Sequence, residues 1–236
     1  MTRAMQIVPV LDLKGGIVVH ARRGARAEYA PLRSPLVEGS EPVAVARAVC
    51  AACRTHRLYV ADLDALEGAP TAEAALTALA AVAEICVDAG ATAPEQAAVL
   101  QRAGAARNVV GTESLGHDAL IGGVPHDSPP LVLSVDLRDG RLISPAAELD
   151  GREPAAAADL ARELGVGEVL VIDLARVGSG AGPPLDAVAQ LAAALPGVAI
   201  YAGGGVRGDE DLRTLQSAGA AGALVATALH EGRITL

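Results

Sequence analysis

The sequence predicts an α/β protein made of one (β/α)8 TIM barrel over residues 1–236, and three observations support this. The chain has 236 residues, close to the roughly 250 that are typical of this fold. Eight β-rich runs alternate with Ala/Leu-rich stretches along its whole length, which predicts a parallel sheet covered by helices. The two halves also repeat each other. The main alternative, an open doubly wound sheet, accounts less well for eight such units.

The eight predicted strands are short apolar runs, as expected of parallel strands buried on both faces. In order they are IVPVLDL, RLYVADL, EICVDAG, RNVVGT, LVLSVDL, EVLVIDL, VAIYAGG and GALVAT. The predicted helices between them include EPVAVARAVCAACR, PEQAAVLQRAG, EPAAAADLARELG and DEDLRTLQSAG. Residues 20–40, 116–130 and 175–185 lack a regular pattern and are expected to be loops, the second of them a connection between half-barrels.

The internal repeat predicts half-barrels of about residues 1–125 and 126–236. VPVLDLKGG around Asp12 matches VLSVDLRDG around Asp136, and DAGATAPEQAAVLQRAGAA aligns without a gap with GGGVRGDEDLRTLQSAGAA. The equivalent positions in that register include Gly90 and Gly205, Gly111 and Ala226, and Thr112 and Thr227. A repeat of this length is hard to explain by chance, and it favours a closed barrel.

Composition and charge argue against several classes of partner. A net charge of −9 does not suit binding to nucleic acid or to an acidic membrane surface. No apolar run approaches the roughly 20 residues that span a bilayer, and the N-terminus lacks the features of a secretory signal. Three cysteines provide no disulfide framework. A cytoplasmic setting is therefore expected, and the oligomeric state is left open.

Cys50 and Cys53 form a C-x-x-C within an Ala/Val-rich helical run. Redox motifs of this kind normally open a helix after a strand, so these two residues are predicted to pack in the core. The five histidines and the third cysteine complete no metal-ligand spacing. No metal and no cofactor are expected.

Aspartates end five of the predicted strands, where the active sites of (β/α)8 barrels lie. They are Asp12, Asp62, Asp88, Asp136 and Asp173. Two carboxylates on opposite sides of a barrel mouth suit acid–base catalysis, and the repeat favours Asp12 and Asp136 for that pair. An aspartate at a βα junction can equally cap a helix. Both roles stay open for the other three, with Asp173 kept as a candidate substrate ligand.

A phosphate site is predicted after the seventh and eighth strands, the usual position in such barrels. Phosphate sites need clustered backbone N–H groups and glycine at close approach. AGGGVRG provides Gly203, Gly204, Gly205 and Arg207, and VATAL places Ala226 and Thr227 beside them. The repeat predicts a second, poorer anion site at Ala89, Gly90, Gly111 and Thr112, because Asp88 would repel a phosphate there.

Two loops are candidates for contact with the substrate. The first follows Asp12, and its cations are Lys14, Arg22, Arg23, Arg26 and Arg33. They form either a solvated basic loop or an anion funnel over the mouth. The second, ARVGSGAGPP, is rich in glycine and follows Asp173. It is predicted to close over the substrate, with Ser179 in contact.

At these residues the chain resembles the histidine-biosynthesis barrel family, which includes an isomerase and a cyclase subunit. The motifs that carry the resemblance are PVLDLKGGIVV, ADLDALEG, SVDLRDG, ARVGSGAG, AGGGVRGDEDL and ATALHEGRI, spread over nearly the whole chain. DLKGG is more like the isomerase. The resemblance implies an Amadori rearrangement of a phosphorylated aminoaldose to an aminoketose. Asp12 would be the general base at sugar C2 and Asp136 the general acid that opens the ring.

The chain departs from the family's isomerase pattern at four places. DAGAT replaces a GGGIR phosphate loop, Ala226-Thr227 replaces Gly-Lys, and Arg176-Val177-Gly178-Ser179 replaces Asp-Gly-Thr. RLISPAAELDG lacks the aromatic residue that usually stacks on the aminoimidazole. These departures predict a divergent member with a different, singly phosphorylated substrate. Two alternatives stay open: a lyase or synthase in tetrahydromethanopterin-linked cofactor biosynthesis, and a non-catalytic subunit that binds a phosphorylated ligand. The presence of both aspartates favours catalysis.

Overall fold

The structure, a computed structural model, describes residues 5–21, 25–115 and 129–235. Its centre is a closed parallel sheet formed by the eight predicted strands, all of which are confirmed. Three short antiparallel strands, β2, β3 and β8, extend the sheet outside the barrel. The strands are β1 (Gln6–Lys14), β2 (Ile17–His20), β3 (Ala30–Pro31), β4 (Arg57–Asp62), β5 (Glu84–Asp88), β6 (Arg107–Gly111), β7 (Leu131–Arg138), β8 (Arg141–Leu142), β9 (Glu168–Asp173), β10 (Ala199–Gly203) and β11 (Gly222–Val225).

Closure comes from the pairing of the last strand with the first. β11 runs parallel to β1, with Gln6 opposite Gly222 and Val8 opposite Leu224. β1 pairs on its other edge with β4, where Asp12 lies opposite Ala61. The predicted (β/α)8 barrel is therefore confirmed, and the doubly wound sheet is wrong.

Helices surround the barrel where the Ala/Leu-rich runs predict them. They are α1 (Pro42–Cys53), α2 (Leu63–Leu66), α3 (Glu73–Ala80), α4 (Pro94–Arg102), α5 (Ala158–Glu163), α6 (Leu185–Ala194), α7 (Asp209–Ser217) and α8 (Thr227–His230), with 3-10 helices at Arg26–Glu28 and Pro154–Ala157. α1 begins with Pro42, and the Glu41 carboxylate accepts hydrogen bonds from Val43 N and Ala44 N, satisfying donors that a helix start leaves open. None of the helices in the part of the chain that the structure describes is long and apolar enough to cross a membrane.

Cys50 and Cys53 lie on α1 and face the outer core, as predicted. Cys53 is buried in the apolar cluster between strands and helices, and Cys50 packs against it. Burial raises the pKa of the Cys53 thiol to about 12. A thiol that stays protonated is a poor nucleophile, so the pair is part of the packing.

Apolar side chains form two separate layers on the two faces of the barrel strands. Outward side chains such as Val60 and Val135 pack against the helices. Inward ones such as Tyr59 and Leu224 fill the barrel itself. Because successive side chains of a strand point to opposite faces, the layer to which one residue belongs determines the direction of every other residue on its strand.

Two matching hairpins, which the sequence analysis did not predict, follow the two strands with the predicted catalytic aspartates. β2 turns back on β1 at Gly15-Gly16, and β8 turns back on β7 at Asp139-Gly140. All four turn residues have positive φ, between 53° and 79°, which two-residue hairpins favour because of the strand twist. The halves are thus alike at both hairpins. The connection predicted at 116–130 falls almost wholly outside the described residues, so the division near residue 125 stays a prediction.

The seam between β1 and β11 is sensitive to side-chain volume at Gly222. A Cβ there would lie 2.6 Å from a ring carbon of Tyr201 and 2.7 Å from the Gln6 carbonyl oxygen. We expect Gly222→Ala to lower the free energy of unfolding by about 1–3 kcal/mol through overpacking, measured by urea denaturation. Gly167→Ala is the control, because a Cβ at Gly167 meets no atom within 4 Å. Equal stability of the two variants would contradict this account of the seam.

Candidate active site

A cavity of about 490 Å³ opens at the carboxyl ends of the barrel strands. Both predicted catalytic residues, Asp12 and Asp136, line it. The predicted binding residues in its wall are Gly203, Gly204, Gly205, Ala226, Thr227 and Ser179. Asp88, whose role was left open, and several residues that were not predicted also contribute: Tyr29, Tyr59, Glu113, Arg138, Glu231 and Arg233. The cavity therefore brings acids from both halves of the chain together with two arginines, Arg138 and Arg233, from the second half.

Strand alternation separates the five aspartates into two groups. Asp12, Asp88 and Asp136 line the cavity. Asp62 and Asp173 have the opposite direction on their strands, and both are fully buried outside it. The neighbours of these last two in the barrel, Ala61 and Ile172, are the residues that point inward there.

Asp62 and Asp173 hold backbone in place. The Asp62 carboxylate accepts hydrogen bonds from Ala65 N at 3.2 Å and Ala72 N at 2.8 Å. The Asp173 carboxylate accepts from Gly140 N and Ala175 N, both at 3.1 Å, and so joins the β7–β8 turn to the loop after β9. These contacts favour the capping role for both, and the structure places Asp173 away from the substrate cavity.

Asp136 occupies an enclosed pocket in the cavity wall. Its carboxylate accepts a hydrogen bond from Ser134 Oγ at 2.7 Å and one from Glu113 N at 3.2 Å. Burial raises its pKa to about 8, and the neighbouring Glu113 charge adds to the effect. Asp136 is consequently protonated at neutral pH, which is the state that a general acid requires.

Gly111 and Thr112, predicted to form part of a second anion site, support Asp136 instead. A Cβ at Gly111 would lie 2.5 Å from Asp136 Oδ2, so glycine leaves room for the carboxylate. Thr112 is fully buried, and its hydroxyl accepts a hydrogen bond from Asp136 N at 2.9 Å. Neither residue is among those lining the cavity.

The rest of that predicted second anion site is occupied by an acid and its partners. Asp88 accepts a hydrogen bond from Tyr59 Oη at 2.8 Å and one from Gly90 N at 3.4 Å. The Gly90 N–H is therefore directed at a carboxylate, and Gly90 does not line the cavity. Burial first, and then the charge of Asp88, raise the pKa of Tyr59 well above its usual value. The phenol stays protonated as a donor to Asp88.

The predicted phosphate loop, Gly203–Gly205, lies on the opposite side of the cavity. Its backbone packs closely against the backbone of neighbouring segments. Gly204 and Gly205 have φ of 88° and 81°, values that side chains disfavour. A Cβ at Gly204 would lie 2.8 Å from the Asp173 carbonyl oxygen, and one at Gly205 would lie 2.5 Å from that of Gly182. Glycine is required here by the fold as well as by any ligand.

Thr227 lies beside this loop, and its hydroxyl is held in position by a histidine. His20 Nε2 lies 3.1 Å from Thr227 Oγ1, which ties the β1–β2 hairpin to the last helix. His230, on the same helix, makes a second link to the segment after the hairpin, with Nδ1 2.9 Å from Ser34 Oγ. Burial lowers the pKa of His230 to about 4, so it is neutral at physiological pH.

Arg207, predicted to bind phosphate, has another partner. Its Nε and Nη2 donate to the two carboxylate oxygens of Asp211 at 2.9 and 2.7 Å, and its backbone N donates to the same group. These hydrogen bonds lower the pKa of Asp211. Arg207 does not line the cavity, and its contacts fix the start of α7.

The two predicted contact loops differ in how far the structure describes them. Ser179 lines the cavity, and its hydroxyl donates to the Arg176 carbonyl oxygen at 2.7 Å. Arg22 and Arg23 of the basic loop lie outside the described residues. Lys14 forms an ion pair with Glu67 at 3.2 Å, and Arg33 is exposed. The anion funnel stays a prediction.

Fold and site together define a (β/α)8 barrel with three inward aspartates, Asp12, Asp88 and Asp136, at its mouth and a glycine-rich loop across from the acid-lined side. A family model described as histidine biosynthesis protein matches residues 6–235. The chain therefore belongs to the histidine biosynthesis protein family.

Curated relatives match over nearly their whole length. The chain is 36% identical to the 1-(5-phosphoribosyl)-5-((5-phosphoribosylamino)methylideneamino)imidazole-4-carboxamide isomerase of Rubrobacter xylanophilus, over 98% of this chain and 93% of the relative. The isomerase of the same name from Haloarcula marismortui is 33% identical with the same coverage. An uncharacterised protein of Methanocaldococcus jannaschii is 28% identical over 98% of this chain and 96% of the relative.

The raised pKa of Asp136 makes stability depend on pH. Between about pH 4 and 8 the folded state keeps a proton on Asp136 that the unfolded state releases, so stability falls as pH rises through this range. Each pKa unit corresponds to about 1.4 kcal/mol. In Asp136→Asn that contribution is absent. We expect the unfolding free energy of the variant minus that of the wild type to increase from pH 5 to pH 8.5. Both values are measured by urea denaturation. Parallel curves for the two proteins would contradict the raised pKa.

Proposed function

We propose that this protein is an isomerase that converts a phosphorylated, ribose-like aminoaldose into the aminoketose by an Amadori rearrangement. The observation that carries the proposal is the pair Asp12 and Asp136, which face one cavity from β1 and β7. β7 is the fifth strand of the eight-stranded barrel, counted from β1, so the two carboxyl groups approach a ligand from opposite sides. The names of the relatives in Rubrobacter and Haloarcula support the same reaction class.

The proposed chemistry needs one acid and one base and no cofactor. Asp136, protonated at neutral pH, donates its proton to the ring oxygen, and the sugar ring opens to a protonated imine at C1. Asp12 then removes the proton from C2, and the electrons of the C2–H bond move to form a neutral enaminol. Asp12 returns its proton to C1 while the O2 hydroxyl gives up its proton to the ionised Asp136. This gives the ketose and restores both carboxyl groups, so the reaction is a net isomerisation. Because the two carboxyl groups have different surroundings, Asp136 serves as the acid and Asp12 as the base.

We propose that the substrate's phosphate binds at Gly203, Gly204 and Gly205, beside Ala226 and Thr227, all of which line the cavity. Backbone N–H groups at glycines and a threonine hydroxyl are groups that bind phosphate oxygens. Ser179, in the loop after β9, is positioned for a further contact with the sugar. On the other side, Gly90 faces Asp88. This difference supports one phosphate-binding end, and hence a singly phosphorylated substrate.

The lyase or synthase and the non-catalytic subunit receive less support. Asp12 and Asp136 both reach the cavity, and a protein that only binds its ligand has no use for an enclosed, protonated carboxyl group opposite a second one. The isomerase names of the relatives favour the rearrangement over a lyase or synthase reaction.

Replacement of either aspartate is expected to remove the chemistry while leaving the fold intact. Asp12→Asn and Asp136→Asn should each lower kcat by about 10²–10⁴, the usual contribution of a general acid or base. Turnover is followed by chromatographic separation of aldose and ketose, with the substrate named for the relatives and with its singly phosphorylated analogue. Asp159→Asn, whose side chain is 95% exposed on α5, is the control. Conversion of neither compound by the wild type, or a kcat within tenfold of the wild type in Asp12→Asn or Asp136→Asn, would refute the proposal.

The pH dependence of kcat/KM tests whether Asp136 is the acid. Because the acid must be protonated, kcat/KM should fall as pH rises through about 8. The Glu113 carboxylate contributes to the raised pKa of Asp136, so Glu113→Gln should move this alkaline limb to lower pH. An unmoved limb in Glu113→Gln, or a wild-type limb that is absent below pH 10, would contradict the assignment.

A further inference from the structure

The phosphate end of the cavity lacks the cation that the sequence analysis assigned to it. Gly203–Gly205 and Ala226 contribute only backbone to the cavity, and Thr227 adds a hydroxyl group. Arg207 is turned away: its guanidinium is bound to Asp211 through two nitrogens and packs on Gly182, where a Cβ would lie 3.3 Å from Arg207 Cζ. A cation from another residue would strengthen the binding of a phosphate dianion at this end.

Arg233 is a cation whose backbone is anchored against Gly208, three residues beyond the phosphate loop. Its N–H donates to the Ala228 carbonyl oxygen at 2.8 Å. Its own carbonyl oxygen lies so close to Gly208 that a Cβ there would be 2.8 Å away. Ile234, the next residue, is buried in the outer core, and Thr235 N donates to Asp209 Oδ1 at 3.0 Å. The chain around Arg233 is therefore held on both sides.

Arg233 lines the same cavity as Gly203–Gly205 and Thr227, and its guanidinium is paired with Glu231, which also lines the cavity. Both side chains of this ion pair are well exposed, 40% for Arg233 and 50% for Glu231. Exposed ion pairs are weak and are readily exchanged for a better partner. A phosphate dianion is such a partner, because it carries more charge and matches the planar guanidinium with two hydrogen bonds.

We propose that Arg233 binds the phosphate of the substrate, and that Glu231 holds the guanidinium at the cavity rim until the phosphate replaces it. The assignment rests on the proposed function, which places a sugar phosphate at this end. Arg207 holds the start of α7 through Asp211 and takes no part in binding the phosphate. The ion pair gives the site a preference for a dianionic group over a neutral one, since only an anion competes with the Glu231 carboxylate.

Calorimetric titration with ribose 5-phosphate separates the two arginines. Arg233→Gln should weaken binding by about tenfold or more, the loss expected for one charge-assisted contact. Arg207→Gln, the matched control, should stay within about threefold of the wild type, because its guanidinium lies outside the cavity. Glu231→Gln should tighten binding, since the competing carboxylate is removed. Ribose without phosphate should respond to none of the three changes.

Several outcomes overturn the assignment. These are wild-type affinity in Arg233→Gln, an equal loss in Arg207→Gln, weaker binding in Glu231→Gln, or no binding of ribose 5-phosphate to the wild type at 10 mM. Thermal unfolding of each variant shows that the fold is kept, and Arg233→Lys, which retains the charge but not the fork, should lie between wild type and Arg233→Gln.

Failure of this assignment and failure of the proposed function give different results. A protein that binds ribose 5-phosphate through Arg233 but isomerises no substrate refutes the function and keeps the phosphate site. Isomerisation with an unchanged KM in Arg233→Gln refutes the phosphate site and keeps the function.

Discussion

The pairing of β11 with β1 closes the sheet, and a closed sheet has only an inside and an outside. Along each strand the side chains alternate between the two, so closure decides which polar groups meet at the barrel mouth. Asp12, Asp88 and Asp136 belong to the inward set, whereas Asp62 and Asp173 belong to the outward set and bind backbone N–H groups. The meeting of Asp12 and Asp136, the proposed acid–base pair, at one cavity is thus a consequence of strand register rather than of any local motif.

The inward-facing residues also give the two proposed catalytic carboxyl groups, those of Asp12 and Asp136, different electrostatic surroundings. Asp136 is enclosed by Ser134, Thr112 and the Cβ-free space of Gly111, and it lies beside Glu113. Burial and a like charge both favour its protonated form. Asp12, on β1 opposite Val19 of β2, is only partly buried. Asp136 therefore keeps a proton at neutral pH, and the more exposed Asp12 is available to exchange a proton with the substrate.

The fold was predictable from the sequence because strand alternation, length and repeat all lead to the same barrel. The aspartate pair was predictable because the two halves repeat around it. The sequence analysis did not separate the five aspartates into inward and outward groups. Counting by two along each strand from an inward residue such as Tyr59 separates Asp62 from the others. The LKGG and LRDG turns, with glycine at the second turn position, were likewise readable as hairpins.

Other features depend on contacts between distant segments and have no local signal. Arg207 follows the glycine run, so it was assigned to phosphate, but Asp211 four residues later binds its guanidinium. Arg233 reaches the cavity only because the segment after α8 packs on Gly208. Glu113 and Tyr59 enter the site through strand ends whose neighbours are fixed by the barrel. Residues of this kind are found from the packing, and the sequence around them shows nothing unusual.

The account depends most on Asp136 being a protonated acid in the free protein. The direct measurement is an NMR titration of the protein with 13C-labelled aspartate, in which the Asp136 carboxyl signal is assigned by its loss in Asp136→Asn. A midpoint near pH 8 is the predicted result. A midpoint near pH 4, the ordinary value for an aspartate, would show that Asp136 is ionised at neutral pH and would contradict its role as the acid.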